Sequence, residues 1–446
     1  MKVRSSRFLL ALIAVGAGFV FAQAPNGGEH WVATWAASPQ QPRAPQPPRP
    51  PAPTGTVING VQQAAVPPVP PAPPVSSFDN QTLRMIARTS IGGRRIRVHL
   101  SNDFGPTALK IGSAHVALRD KESAIVAGSD RALLFSGKPS VTIPPGAQMI
   151  SDPVDLNVSA LADIAISVYV PGETGPATQH ATGLHTSYVS KAGDFTNAPS
   201  FTEPTTTQSW FLVAGVDVMA PSDAAAIVAF GDSITDGATS TPDTNRSWPS
   251  LLAERLQANP ATARIAVVNQ GISGNQVLRD GAGVSALARF DRDVLSQAGV
   301  KWVIILESIN DIGQRLRAGA NPAEAISADD LIAGLRQLIE RAHTHGIKVI
   351  GATLTPFEGA AYYSDQGEVA RQAVNQWIRT GGEFDGVVDF DVATRDAANP
   401  KTFRADYNIR DHLHPNDTGY KAMADAFDLS WFAPAKAAAV SARTLF

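Results

Sequence analysis

The hydrophobic pattern of this chain changes period near residue 223, and that change limits what the chain can fold into. Upstream, apolar and polar residues alternate. Arg95-Ile96-Arg97-Val98-His99-Leu100-Ser101 has strict period two, which puts Ile96, Val98 and Leu100 on one face of a strand. Ile164, Ile166, Val168 and Val170 repeat the pattern, and 210–218 supplies a strand to close the sheet. Pro144-Pro145-Gly146 and Pro171-Gly172 punctuate the runs. Half-buried strands without helical segments predict an antiparallel, sandwich-like domain over 78–219. Arg95 and Arg97 fall on its polar face and read as solvated. Downstream the apolar runs become short and continuous, at 227–230, 265–268, 303–306, 349–352 and 387–390. Such runs fit strands covered on both faces. Amphipathic helices separate them. One begins at Ser327 with Asp330 three residues later, carries Leu331, Leu335 and Leu338 on its apolar face, and ends at Gly346. Trp248 shares helical spacing with Leu252 and Leu256 and reads as core. Residues 223–432 are therefore expected to form a doubly wound α/β domain, a parallel five-stranded sheet in three layers.

The chain has 446 residues, room for two folded units with extras. Its 44% apolar and 17% charged residues suit a globular core, and a net charge of −3 without a basic run excludes a nucleic-acid partner. Lys2, Arg4 and Arg7 precede the apolar run 8–21, and Ala22-Gln23-Ala24 follows, which is the pattern of an export signal over 1–22. The run is short for an uncleaved anchor, since a spanning helix needs about 20 apolar residues. No stable membrane anchor is expected after cleavage, and the mature chain is expected in the periplasm or outside the cell. The chain has no cysteine, which excludes disulfides, thiol catalysis and thiolate metal sites. Residues 23–77 hold an apolar strand at 31–35 and then a loop or linker. Fourteen of the 33 prolines lie in 39–74, a composition that favours extended chain. Residues 433–446 form a tail.

Four peptides of the second unit carry chemistry. Gly231-Asp232-Ser233-Ile234-Thr235-Asp236-Gly237 follows the first strand run, so a turn there would expose the Ser233 hydroxyl. A serine hydroxyl is a poor nucleophile until a base takes its proton. In Asp411-His412-Leu413-His414, His414 can act as that base, and Asp411 lies three residues before it, close enough to hold its Nδ1. His412 competes for the role, but the spacing suits His414. The amides of Ser233 and Gly274 and the side-chain amide of Asn310 could share the charge of a tetrahedral intermediate. Gly274 would leave the acyl group a clear approach. His343 and His345 diverge on a helix and read as surface residues. No metal or cofactor is expected, no phosphate-binding glycine loop occurs, and the Gly-x-Ser-x-Gly elbow is absent.

Gly231 to Ile234, the Gly274 turn, Asn310-Asp311 and 411–414 resemble the four blocks of the SGNH (GDSL-type) hydrolase superfamily, over 223–432. The resemblance implies a triad of Ser233, His414 and Asp411 and an oxyanion hole of Ser233, Gly274 and Asn310. The stretches 285–293, 307–313 and 411–420, with 31–39 and the β-rich half, look like the secreted arylesterase/acylhydrolases associated with xylan degradation. One position departs from the pattern: Ser308 stands where the third block normally has glycine. A narrowed or shifted pocket is expected, with strain if the backbone there needs a positive φ. These readings imply a secreted serine esterase that removes acetyl or aryl groups from plant polysaccharide or small esters. A lipid-ester hydrolase acting on lysophospholipids is the enzymatic alternative. A glycan-binding protein with an inert hydrolase half is the alternative of another class.

Overall fold

The computed structural model describes residues 28–42, 57–58, 61–62, 77–317 and 319–433. The expected signal 1–22, most of the proline-rich segment and all but the first residue of the tail lie outside the described residues.

Period two is realised upstream as two antiparallel sheets. One has the order Glu29–Ala36, Val213–Pro221, Gly93–Ser101, Gln148–Ile150, with Val154–Val158 also pairing to Gly93–Ser101. The other runs Thr205–Thr207, Ser187–Ala192, Gln81–Arg88, Asp163–Val170, Ser113–Leu118, Arg131–Ala132. Ile96, Val98 and Leu100 from the first and Leu83, Met85, Ile164, Ile166 and Val168 from the second are fully buried in one core. The apolar alternation thus does what the sequence predicts, since one face of each sheet is removed from water.

Three expectations need correction. Residues 210–218 are not one strand. Leu212 has φ +62°, so Trp210–Phe211 pairs with Gln179–His180 as a separate ribbon, and Val213–Pro221 enters the first sheet. The N-terminal strand is longer than 31–35 and does not stand apart, because Glu29–Ala36 pairs along Val213–Pro221. Arg97 is not a solvated side chain. It donates to Asp217 at 2.7 Å and lies 4.5 Å from the Trp31 ring centre, leaving Arg95 on the open face beside Asp155.

Downstream, five parallel strands have the order Ile265–Gly271, Ala225–Gly231, Val300–Leu306, Lys348–Ala352, Gly386–Val388. The fifth is shorter than its apolar run. The Asp389 side chain accepts from the Val392 amide and turns Phe390–Thr394 into a helix. The helix Ala328–Thr344 starts with the expected box, Ser327 and Asp330 bonding each other's amides. Trp248 is fully buried against Phe390 and Phe427.

The two halves are closely joined. The edge strand Ile265–Gly271 meets the β-rich half through Ser90, whose hydroxyl oxygen accepts from the Val267 amide at 2.8 Å. The Ala33 amide donates to the Ala298 carbonyl at 2.9 Å. Among the described residues no helix is long and apolar enough to cross a membrane.

Candidate active site

Strand register brings the chemical peptides together. Gly231 ends the second strand of the sheet order, level with Gly271 on one side and Leu306 on the other. The chain leaving each of these ends carries one candidate donor: Ser233, Gly274 and Asn310. After Gly231 the chain makes a single helical turn, Ser233–Asp236, whose N-cap Asp232 accepts from the Ile234 amide at 2.9 Å. A side chain at Gly231 would strike Thr235 Oγ1 and the Leu306 carbonyl, so this tight exit requires glycine. Gly274 has φ +84°, and its glycine is needed for that backbone conformation as much as for the approach of an acyl group.

Ser233 Oγ is 2.9 Å from His414 Nε2, and His414 Nδ1 is 2.6 Å from Asp411 Oδ2. The other Asp411 oxygen accepts from the amides of Leu413 and His414, at 3.0 and 2.9 Å. That turn explains why a three-residue spacing serves, since the carboxylate folds the loop and faces the ring at once. The loop is fixed to the serine turn by Thr239 Oγ1 on the Pro415 carbonyl and by Tyr420 OH on the Ala238 carbonyl. His412 is turned away, its ring against Gly359. Asn310 Nδ2 donates to the Asn275 carbonyl at 3.0 Å, which leaves its second N–H for a ligand. Among the described residues neither the Ser233 nor the Gly274 amide has an acceptor. His343 and His345 are apart, one on Asp385 and one on the Arg341 carbonyl.

Residues 229–422 match the model of the GDSL-like Lipase/Acylhydrolase family. Residues 229–422 are an SGNH (GDSL-type) hydrolase domain. That family makes residues 229–422 a carboxylic ester hydrolase domain. Among solved structures the chain is similar to a variant of an acetyl xylan esterase from Geobacillus stearothermophilus, at 26% identity over 47% of this chain and 96% of that one, TM-score 0.37. It is also similar to an α/β hydrolase from the metagenome of Lake Arreo, at 23% identity over 46% and 95%, TM-score 0.37. A GDSL-like lipase from Bacteroides thetaiotaomicron is similar at 20% identity over 45% and 84%, TM-score 0.33. No curated protein matched.

Several residues of the hydrolase domain that support the site were not recognised from sequence. Arg289 is buried beneath it and donates to the carbonyls of Gly231 and Gln270, to Asn275 Oδ1 at 2.8 Å, and to Asp293 and Glu307. Its guanidinium also lies 3.9 Å from the Phe230 ring centre. One cation thus ties together the strand ends that precede the serine, the Gly274 turn and Asn310. The sequence marked it only as part of the 285–293 stretch, with no role for the arginine. Asp311 accepts from the amides of Val277 and Leu278, which fastens the third block to the second.

The carboxyls here diverge in acidity. Burial pushes Asp232 up to about 7 and Asp311 up to about 6, and it raises Glu307 well above the usual range. Asp411 goes the other way. Burial opposes its ionisation, but hydrogen bonding to His414, the charge of that ring and the two loop amides outweigh it. The carboxylate that faces the imidazole is the one held ionised. Ser308 is fully buried with φ +107°, and its hydroxyl has no partner among the described residues.

Proposed function

We propose that the chain hydrolyses carboxylic esters through an acyl-enzyme on Ser233. The reading rests on the 2.9 Å approach of the Ser233 hydroxyl to His414 Nε2, with Asp411 on the far nitrogen. Ser233 Oγ attacks the ester carbonyl carbon while His414 takes its proton. Asp411 keeps the other ring proton on Nδ1 and stabilises the imidazolium. The carbonyl oxygen, now negative, is held by the amides of Ser233 and Gly274 and by Asn310 Nδ2. The intermediate collapses as His414 gives its proton to the alcohol oxygen, which leaves. Water then enters, loses a proton to His414, attacks the acyl carbon, and releases the acid and free Ser233.

The proposed substrates carry small acyl groups, acetyl or aryl, on plant polysaccharide or small alcohols. Two observations support this over a lipid ester. The second-unit motifs resemble the xylan-associated acylhydrolases, and among the described residues Ile409 is the one exposed large apolar side chain in the loop of Asp411 and His414. The basic, then apolar, N-terminal sequence supports export of the chain. A division into 78–219 and 223–432 follows the change from antiparallel to parallel pairing, with the strand Glu29–Ala36 added to the first unit.

The test compares the protein with Ser233→Ala and His414→Ala on p-nitrophenyl acetate. Loss of about 10⁴-fold or more in kcat is expected for each. Equal activity in all three would end the proposal. Acetylated xylan and lysophosphatidylcholine, offered side by side, decide the substrate class, and preference for the lipid would reverse it.

A further inference from the structure

A chain of hydrogen bonds runs from the β-rich half into the loop that bears Gly274. His180, in the short ribbon strand Gln179–His180, is buried at the junction of the halves. Its Nε2 is 2.9 Å from Asp236 Oδ1, at the end of the nucleophile's helical turn. Asp236 Oδ2 accepts from both the amide and the hydroxyl of Ser273, at 2.8 and 2.6 Å. Ser273 is the residue before Gly274, and its hydroxyl is also 3.1 Å from Thr182 Oγ1 of the same β-rich strap. On its other side His180 Nδ1 is 2.9 Å from the Ser38 carbonyl, and Ser38 in turn donates to Asp293, the partner of Arg289.

The chemistry of these contacts fixes the state of the ring. A carbonyl oxygen only accepts, so Nδ1 carries a proton. Asp236 takes two donors on one oxygen and faces Nε2 with the other, an arrangement that favours a proton on Nε2 as well and so the imidazolium form of His180. The charges facing it are the carboxylates of Asp236 and, further away, Asp293, and the Trp210 ring lies alongside at 5.6 Å. Burial opposes its charge, but the Asp236 charge and hydrogen bond and the Ser38 carbonyl outweigh burial and raise its pKa.

We infer that His180, supplied by the β-rich half, is a positioning residue that holds the Gly274 amide in the oxyanion hole through Asp236 and Ser273. It touches neither the ester nor the reacting atoms. A backbone amide is useful there only when it is aimed before the charge develops, and the residue before Gly274 is pinned by two bonds to a carboxylate that His180 pins in turn. The inference rests on the reading of Gly274 as an oxyanion donor.

Two substitutions separate the hydrogen bond from simple packing. His180→Gln can still donate to Asp236, whereas His180→Asn can still donate to the Ser38 carbonyl but not reach Asp236. Both remove the ring beside Trp210. With p-nitrophenyl acetate, His180→Asn is expected to lose about 10- to 100-fold in kcat with KM within about twofold, below the cost of deleting a donor outright. His180→Gln is expected to stay within about threefold of the parent. Equal losses in the two, no loss in either, or a change confined to KM would overturn the inference. If His180→Asn does not fold, Ser273→Ala removes the hydroxyl half of the tie to Asp236 while the amide half stays, and is expected to lose a smaller factor in kcat, about three- to tenfold, with parental kcat as the overturning result. Asn310→Ala is run beside them. If it keeps parental kcat, the oxyanion reading itself has failed, whereas a loss there with unchanged His180 variants refutes the positioning role alone.

Discussion

Replacing Ser308 with glycine should make this protein more stable. Ser308 is at φ +107°, ψ −20°, well beyond the left-handed region near +57°, +47° that non-glycine residues tolerate at all. Holding a β-carbon there costs about 1–3 kcal/mol. Its hydroxyl is buried with no partner among the described residues, a further cost of about 1–3 kcal/mol. Against these, glycine adds about 0.4–1 kcal/mol of freedom to the unfolded chain. The small cavity left by the side chain costs about 1 kcal/mol more. Taken at the middle of these ranges, the balance favours Ser308→Gly by about 2 kcal/mol. For a unit the size of the hydrolase domain this is a rise of roughly 2–4 °C in Tm per kcal/mol. Calorimetry and urea unfolding at pH 7 would measure it, with p-nitrophenyl acetate turnover as the control for an intact site. An unchanged or lower midpoint would refute the argument that this backbone is strained by its side chain.

Asp411→Asn keeps the shape of the triad but offers an amide to His414 Nδ1, so kcat should fall about 10³- to 10⁴-fold with KM little changed. A loss under tenfold would mean that the loop amides alone orient the ring. Asp232 is a carboxyl held near 7 instead of 3.8, so its folded pKa is raised. Its contribution to stability is full below about pH 4 and is lost as pH rises through 7, by up to about 4 kcal/mol. Asp232→Asn, which keeps the acceptor for Ile234, should flatten the fall in Tm between about pH 4 and 7; parallel curves for the two proteins would contradict this. Arg289→Lys retains the charge but cannot reach all the acceptors of the guanidinium, so the urea midpoint should drop by an amount equivalent to about 2–4 kcal/mol. An unchanged midpoint would show that the buried network adds nothing to folding.

What could be read from sequence was what is local. The parallel strands announced themselves because burial on both faces forces continuous apolar runs. Ser233, Gly274, Asn310, Asp411 and His414 each sit within a few residues of a strand end or within one loop, so short peptides carry their arrangement. Leu212 was missed because one residue with positive φ interrupts an apolar run without altering its hydrophobicity. Arg97 was misread because its partner Asp217 comes from a strand far along the chain. His180 had no signature at all. It is one of two histidines in a polar strap, and only the packing of the two halves puts Asp236 against it.

The edge strand Ile265–Gly271 bears on how such a protein can be divided or inherited. Its Val267 amide is satisfied by Ser90, so the catalytic sheet finishes on a residue belonging to the other half. A gene fragment encoding the catalytic span alone would expose unpaired backbone along a long apolar strand, an invitation to self-association. Exchange of the β-rich half for an unrelated module would carry the same liability. Shuffling between relatives should therefore keep the two halves together.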